Sequence, residues 1–152
     1  MQRSTNNYLN QEDFAKVLDE IPRLMIRKWN DEDIQMLFEI LYWCALRPNE
    51  GIRLRKEDFD LESRRLSLGR TKTKLNDVAP IPSKFVPKLA NYLEFKEEGR
   101  LFDGLTYNTF YPWLKKLGKW CDIPSWTTPQ SETGEKTVGH IFRKSIGSGG
   151  RI

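Results

Sequence analysis

The sequence predicts a mainly α domain (α+β) that carries a small antiparallel β-sheet or hairpin. Apolar residues recur at helical spacing in four stretches, each opened by a residue whose side chain can cap a helix. Between 64 and 81 that pattern gives way to two short strand-like runs joined by a polar segment. The chain has 152 residues, 38% hydrophobic and 12% aromatic, which suits a single domain with an ordinary core. No internal repeat is visible.

Asn10 caps a helix over about 11–20, with Phe14, Val17, Leu18 and Ile21 on one face and Pro22 as its stop. Asn30 opens a second, whose first turn holds Asp31, Glu32 and Asp33, three acids favourable to the helix dipole. Ile34, Leu37, Phe38, Leu41 and Ala45 follow at helical spacing, and Tyr42 and Trp43 widen the apolar face, so this helix is expected at the centre. A short helix starts near Pro48, a good first-turn residue. The runs 64–69 and 77–81 read as a β-hairpin. Ser83 is expected to cap a helix to about 97, with Phe85, Leu89, Tyr92 and Leu93 inward. Thr106 caps another to about Cys121, with Phe110, Trp113, Leu114 and Leu117 inward. Residues 122–137 read as a loop, a last helix starts near Val138, and 148–152 read as a flexible end.

Charge is uneven along the chain. Residues 47–74 hold nine bases against five acids, which equals the net charge of +4 of the whole protein. From 136 onward Lys136, Arg143, Lys144 and Arg151 occur with no acid. Two basic clusters around a neutral body suit either an anionic polymer or a solvated charged face. The two cysteines, Cys44 and Cys121, have no second ligand at zinc spacing, and a reducing compartment fits them. No run of apolar residues reaches the length of a membrane span, and the N-terminus has no signal-peptide core. The expectation is an intracellular protein, cytoplasmic or nucleoid-associated, with no membrane partner.

Four side chains share a taste for phosphate: Arg47, Lys72, His140 and Arg143. Guanidinium is always charged and can donate two parallel hydrogen bonds to phosphate oxygens. Lysine or histidine can give a departing alkoxide its proton. Arg47 and Glu50 lie three apart at a helix start, so the carboxylate can hold the arginine. His140 and Arg143, also three apart, share one helical face. Taken singly, such pairs are more often a surface ion pair or a structural histidine.

The stretch A-L-R-P-N-E-G-I-R-L-R-K-E-D-F-D-L, continued through G-R-T-K-T-K-L-N-D-V-A-P-I-P, resembles the heart of the tyrosine recombinase (phage integrase) catalytic domain. H-I-F-R at 140–143 resembles the H-x-x-R box of that family, and L-F-D-G at 101–104 its L-F segment. The resemblance covers about 10–147, with the boxes in the family's order. It implies that Arg47 and Arg143 clamp a DNA phosphate and that Lys72 protonates the leaving 5′ oxygen, with Lys74 the second candidate. His140 would act as acid/base or phosphate donor, and Glu50 would orient Arg47. It implies no metal and no cofactor, duplex DNA as partner, and self-association, since the family works as a tetramer on DNA. Val138-Gly139 replaces the family's Thr-Pro, and Lys144 stands where a second histidine is common.

In the family a further box and the nucleophilic tyrosine lie beyond the second arginine. Here nine residues follow Arg143, and all five tyrosines (Tyr8, Tyr42, Tyr92, Tyr107, Tyr111) precede His140. The expectation is a truncated catalytic domain that lacks the nucleophile and is inactive in cleavage. The alternative is a naturally short, non-catalytic DNA-binding or regulatory relative.

Overall fold

The computed structural model of the chain describes residues 9–70 and 76–123. The expected fold class is the one observed: the described residues form five α-helices and a three-stranded antiparallel sheet. The helix expected from Val138 lies outside the described residues, as do Lys72, Lys74, His140 and Arg143.

Helix α1 (Gln11–Glu20) is capped by Asn10, whose side chain accepts from the Asp13 N–H at 2.8 Å. Pro22 turns its exit into a single 3₁₀ segment, Ile21–Leu24. Helix α2 (Asp31–Trp43) is capped in the same way, Asn30 accepting from Asp33 N–H at 2.8 Å. Eight of its residues are buried, from Ile34 to Tyr42, so it is the central helix. Phe14 of α1 stacks on Tyr42 with ring centroids 4.0 Å apart, and Phe110 of a later helix packs on Phe38 at 5.2 Å.

Ala45 does not continue α2, as its spacing suggested. It stands past the end with φ +59, a left-handed conformation, and the Leu46 N–H returns to the Leu41 carbonyl at 3.0 Å. That pattern satisfies a carbonyl the helix end would otherwise leave open, and usually uses glycine. Helix α3 (Pro48–Ile52) starts three residues later.

Strands β1 (Phe59–Asp60), β2 (Arg65–Arg70) and β3 (Asn76–Pro80) pair in chain order. The hairpin β2–β3 was expected; β1 was not, because two residues show no period. Leu66 pairs with both Phe59 and Ala79, and Leu66 and Ala79 are fully buried, so this face of the sheet joins the core. The register shifts between Ser67 and Arg70, an irregularity in the β2–β3 ladder.

Ser83 makes no side-chain cap. Ser83–Phe85 is a 3₁₀ turn, and α4 (Val86–Glu94) begins only after it. The cause is Pro87, which has no N–H to give the Ser83 carbonyl, so an α-turn cannot close there. α4 also ends before 97, where the Lys96 carbonyl accepts from Lys56 Nζ at 2.5 Å and Gly99 turns with φ +115. Helix α5 (Tyr107–Trp120) follows a Thr106 cap, with Phe110, Leu114 and Leu117 buried and Trp113 edge-on to Trp29. It runs through the exposed Pro112. Among the described residues no helix is long and apolar enough to cross a membrane.

Candidate functional site

Arg47 is placed by the end of α2 and the start of α3. Leu46 is fully buried and anchors the turn, after which Arg47 is extended (φ −77, ψ 153) and Pro48 begins α3. Glu50 Oε1 accepts the Arg47 N–H at 2.8 Å, and the Gly51 N–H bonds to the Arg47 carbonyl at 3.1 Å. Glu50 thus holds the main chain of Arg47. The Arg47 side chain springs half-buried from a backbone whose donor and acceptor are both engaged.

Gly51 lets this turn lie against the central helix. A Cβ at 51 would stand 2.5 Å from Leu41 Cδ2 and 3.1 Å from Leu37 Cδ1, both in the fully buried core. Glycine is therefore used here for close approach of α3 to α2, not for its backbone freedom.

The following segment shows what the acids among the basic residues do. Asp58 accepts the Arg55 N–H at 2.9 Å, and Asp60 accepts the Ser63 N–H at 3.2 Å. Glu57 takes the Gly99 N–H at 3.0 Å and the Arg55 Nε at 2.7 Å. These hydrogen bonds, that of Arg55 first and that of Gly99 next, lower the Glu57 pKa to about 2. The Asp60 carboxyl is lowered too, chiefly by the Ser63 hydroxyl. Four of the five acids between 47 and 74 thus accept main-chain N–H groups and shape turns. The signal was in the sequence, as L-R-K-E-D-F-D carries carboxylates at capping spacing, but it reads there as charge.

The same segment is tied to the chain before α5. The Leu101 N–H reaches the Leu54 carbonyl at 3.0 Å, the Lys56 N–H the Gly99 carbonyl at 2.9 Å, and Arg100 the Ile52 carbonyl at 3.2 Å. The segment between α3 and β1 is thereby fixed to residues 99–101. Arg53, Arg55, Arg64 and Arg65 are exposed. Of the predicted site, the described residues place Arg47 and Glu50 together; Lys72, Lys74, His140 and Arg143 lie outside them.

Two described tyrosines belong to the core. Tyr42 is stacked on Phe14, and Tyr92 is buried with its hydroxyl donating to Asp33 Oδ1 at 2.6 Å. Burial, and then that carboxylate, push the Tyr92 pKa well up, so the phenol stays protonated. Tyr107 and Tyr111 are half-buried near the start of α5, with ring centroids 5.5 Å apart.

A helical body around one central helix, with a three-stranded sheet beside an arginine-bearing turn, is the fold of recombinase catalytic domains. The chain superposes on the crystal structure of XerA recombinase with a TM-score of 0.62 at 17% identity, covering 95% of this chain and 52% of that one. On the catalytic domain of bacteriophage HP1 integrase the TM-score is 0.60 at 20% identity, over 90% of this chain and 68% of that domain. The XerH site-specific recombinase bound to difH substrate, in its pre-cleavage complex, gives 0.60 at 17% identity, over 93% and 42%. A tyrosine recombinase of Pseudothermotoga lettingae is 30% identical over 74 residues, 49% of this chain and 26% of that protein. The chain thus spans about half of XerA recombinase and about a quarter of the curated relative. Residues 7–148 match the phage integrase family as a whole, and the chain belongs to that family.

Proposed function

We propose that this chain is the phosphate-holding part of a DNA strand-transferring tyrosine recombinase. Arg47 and Arg143 grip the non-bridging oxygens of one phosphodiester in duplex DNA. Lys72, or Lys74 by position, gives the leaving 5′ oxygen its proton, and His140 serves as acid/base or phosphate donor. Glu50 positions Arg47 through the main chain, and the guanidinium groups supply the positive charge that the developing oxyanion needs. The observation that carries the reading is the Arg47 turn: an arginine on a fixed backbone, inside a family match of residues 7–148. The superposition on a recombinase solved with its difH substrate supports duplex DNA as the partner.

In the family's chemistry a tyrosine attacks the phosphate and becomes 3′-phosphotyrosine. Tyr42 and Tyr92 are buried, and all five tyrosines precede His140. The 152 residues by themselves therefore bind duplex DNA and do not cleave it. A nicked suicide substrate, which traps any covalent intermediate, tests this. No adduct is expected, and an adduct mapped to any of the five tyrosines overturns it.

A further inference from the structure

Helix α3 carries Arg47 at its start and has only five residues, too few to hold a helix by its own hydrogen bonds. Glu50 ties its first turn. Its last carbonyl, that of Ile52, is satisfied from far away in sequence. In a longer helix it would accept the Lys56 N–H, but that N–H goes to the Gly99 carbonyl at 2.9 Å. The N–H groups between are engaged as well, Leu54 on the Gly51 carbonyl at 3.2 Å and Arg55 on Asp58 at 2.9 Å. Ile52 is 2% exposed, so water has little access there, and a buried acceptor left open is destabilising.

The donor is Arg100, 48 residues further on, whose Nη2 reaches the Ile52 carbonyl at 3.2 Å. A guanidinium offers five N–H groups in a fixed plane, so it can serve a main-chain acceptor while staying charged. Arg100 is itself held in place. Its main chain bridges to that of Arg55, and the next residue, Leu101, donates its N–H to the Leu54 carbonyl at 3.0 Å. Its ion pair with Asp103 is long, 3.7 Å, and Asp103 is 83% exposed, so that pair contributes little. The bond to Ile52 is the stronger of the two contacts.

We infer that Arg100 is a positioning residue for the phosphate site: it fixes the far end of α3 so that Arg47, at the near end, keeps one orientation toward the phosphate. The inference rests on the reading of Arg47 as a phosphate grip. Arg100 acts through Arg47 and not on the DNA. Packing alone does not achieve this. Gly51 and Ile52 press α3 against the core, but apolar burial is non-directional. A hydrogen bond at each end sets the orientation of the short helix, and a preorganised site loses function over shifts of about 1 Å.

Duplex DNA titrations and amide hydrogen exchange on the 152-residue chain test this. Arg100→Ala should bind duplex DNA about threefold or more weakly than the wild type. It should also speed exchange of the Gly51 N–H, which bonds to the Arg47 carbonyl, by about threefold or more. Arg100→Lys keeps a donor on a long stem and should recover part of both losses; it carries the same comparisons if Arg100→Ala does not fold. Asp103→Ala should change neither quantity. In an Arg47→Ala background Arg100→Ala should have no further effect on DNA affinity, whereas an arginine touching phosphate directly would lower affinity and salt slope again. Additive losses, or an Arg100→Ala chain whose DNA affinity or Gly51 exchange is unchanged, overturn the inference and leave the phosphate reading of Arg47 standing. An Arg47→Ala chain that binds DNA like the wild type removes that reading, and this inference with it.

Discussion

The Glu50 carboxylate accepts the main-chain N–H of Arg47 at 2.8 Å, across the first turn of α3. It works as a reverse cap: the third helical residue reaches back to fix the residue that opens the helix. Glu50→Ala should cost about 1–2 kcal/mol of stability. It should also weaken duplex DNA binding, although residue 50 need not touch DNA. Glu50→Gln keeps an acceptor oxygen and should recover part of both losses. Thermal melts and a binding titration on the three proteins check this ordering.

Gly51→Ala normally favours a helix by about 0.5–1 kcal/mol. Here the new Cβ would stand 2.5 Å from Leu41 Cδ2, so the sign should reverse, with a loss of about 1–3 kcal/mol. Urea denaturation decides. A stabilised Gly51→Ala would mean that α3 does not pack on α2 as described.

Ala45 holds a left-handed backbone in a fully buried position. Glycine there relieves about 1–2 kcal/mol of strain and gives up a buried methyl of about 0.8 kcal/mol, so Ala45→Gly should be close to neutral. A β-branched side chain suits neither the backbone nor the space, and Ala45→Val should be the more destabilising of the two; thermal melts check this order. A duplex DNA titration should show affinity falling with Ala45→Val, since this turn launches Arg47.

Burial pushes the Cys44 thiol up to about 12, from 9.0 when free. The folded chain keeps that proton where the unfolded chain loses it. The contribution is therefore fully present below pH 9 and is lost as pH rises toward 12. Cys44→Ala should flatten part of this alkaline decline in stability. In the folded chain at pH 8 the Cys44 thiol should resist alkylation, and it should react promptly in denaturant.

Local signals were legible where side chains act on their own turn. Asn10, Asn30 and Thr106 cap the helices they were expected to cap, because capping is a contact over three residues. Ser83 failed for an equally local reason, the proline four residues on, which the apolar spacing of Phe85 and Leu89 obscured. The end of α2 at Cys44 was hidden because Ala45 suits a helix by composition and is placed outside it by the closure onto Leu41. Two-residue β1 had no period to read and exists only through its pairing with β2. In the candidate site Arg47 and Glu50 were legible as a pair, but the main-chain N–H that Glu50 accepts was not. Spacing reports which residues are near, and main-chain geometry decides which groups meet. The tie between α2 and α4 was invisible, since the Tyr92 hydroxyl reaches Asp33 at 2.6 Å across 59 residues.

The central claim is that Arg47 grips a DNA phosphate, and the salt dependence of duplex binding tests it most directly. The wild-type chain should show affinity that falls linearly with salt on logarithmic axes, by about 0.9 for each phosphate neutralised. Arg47→Ala should bind more weakly and lower that slope by about one phosphate's worth, across unrelated duplex sequences. A slope near zero for the wild type, or an Arg47→Ala protein with unchanged affinity and slope, would contradict the account.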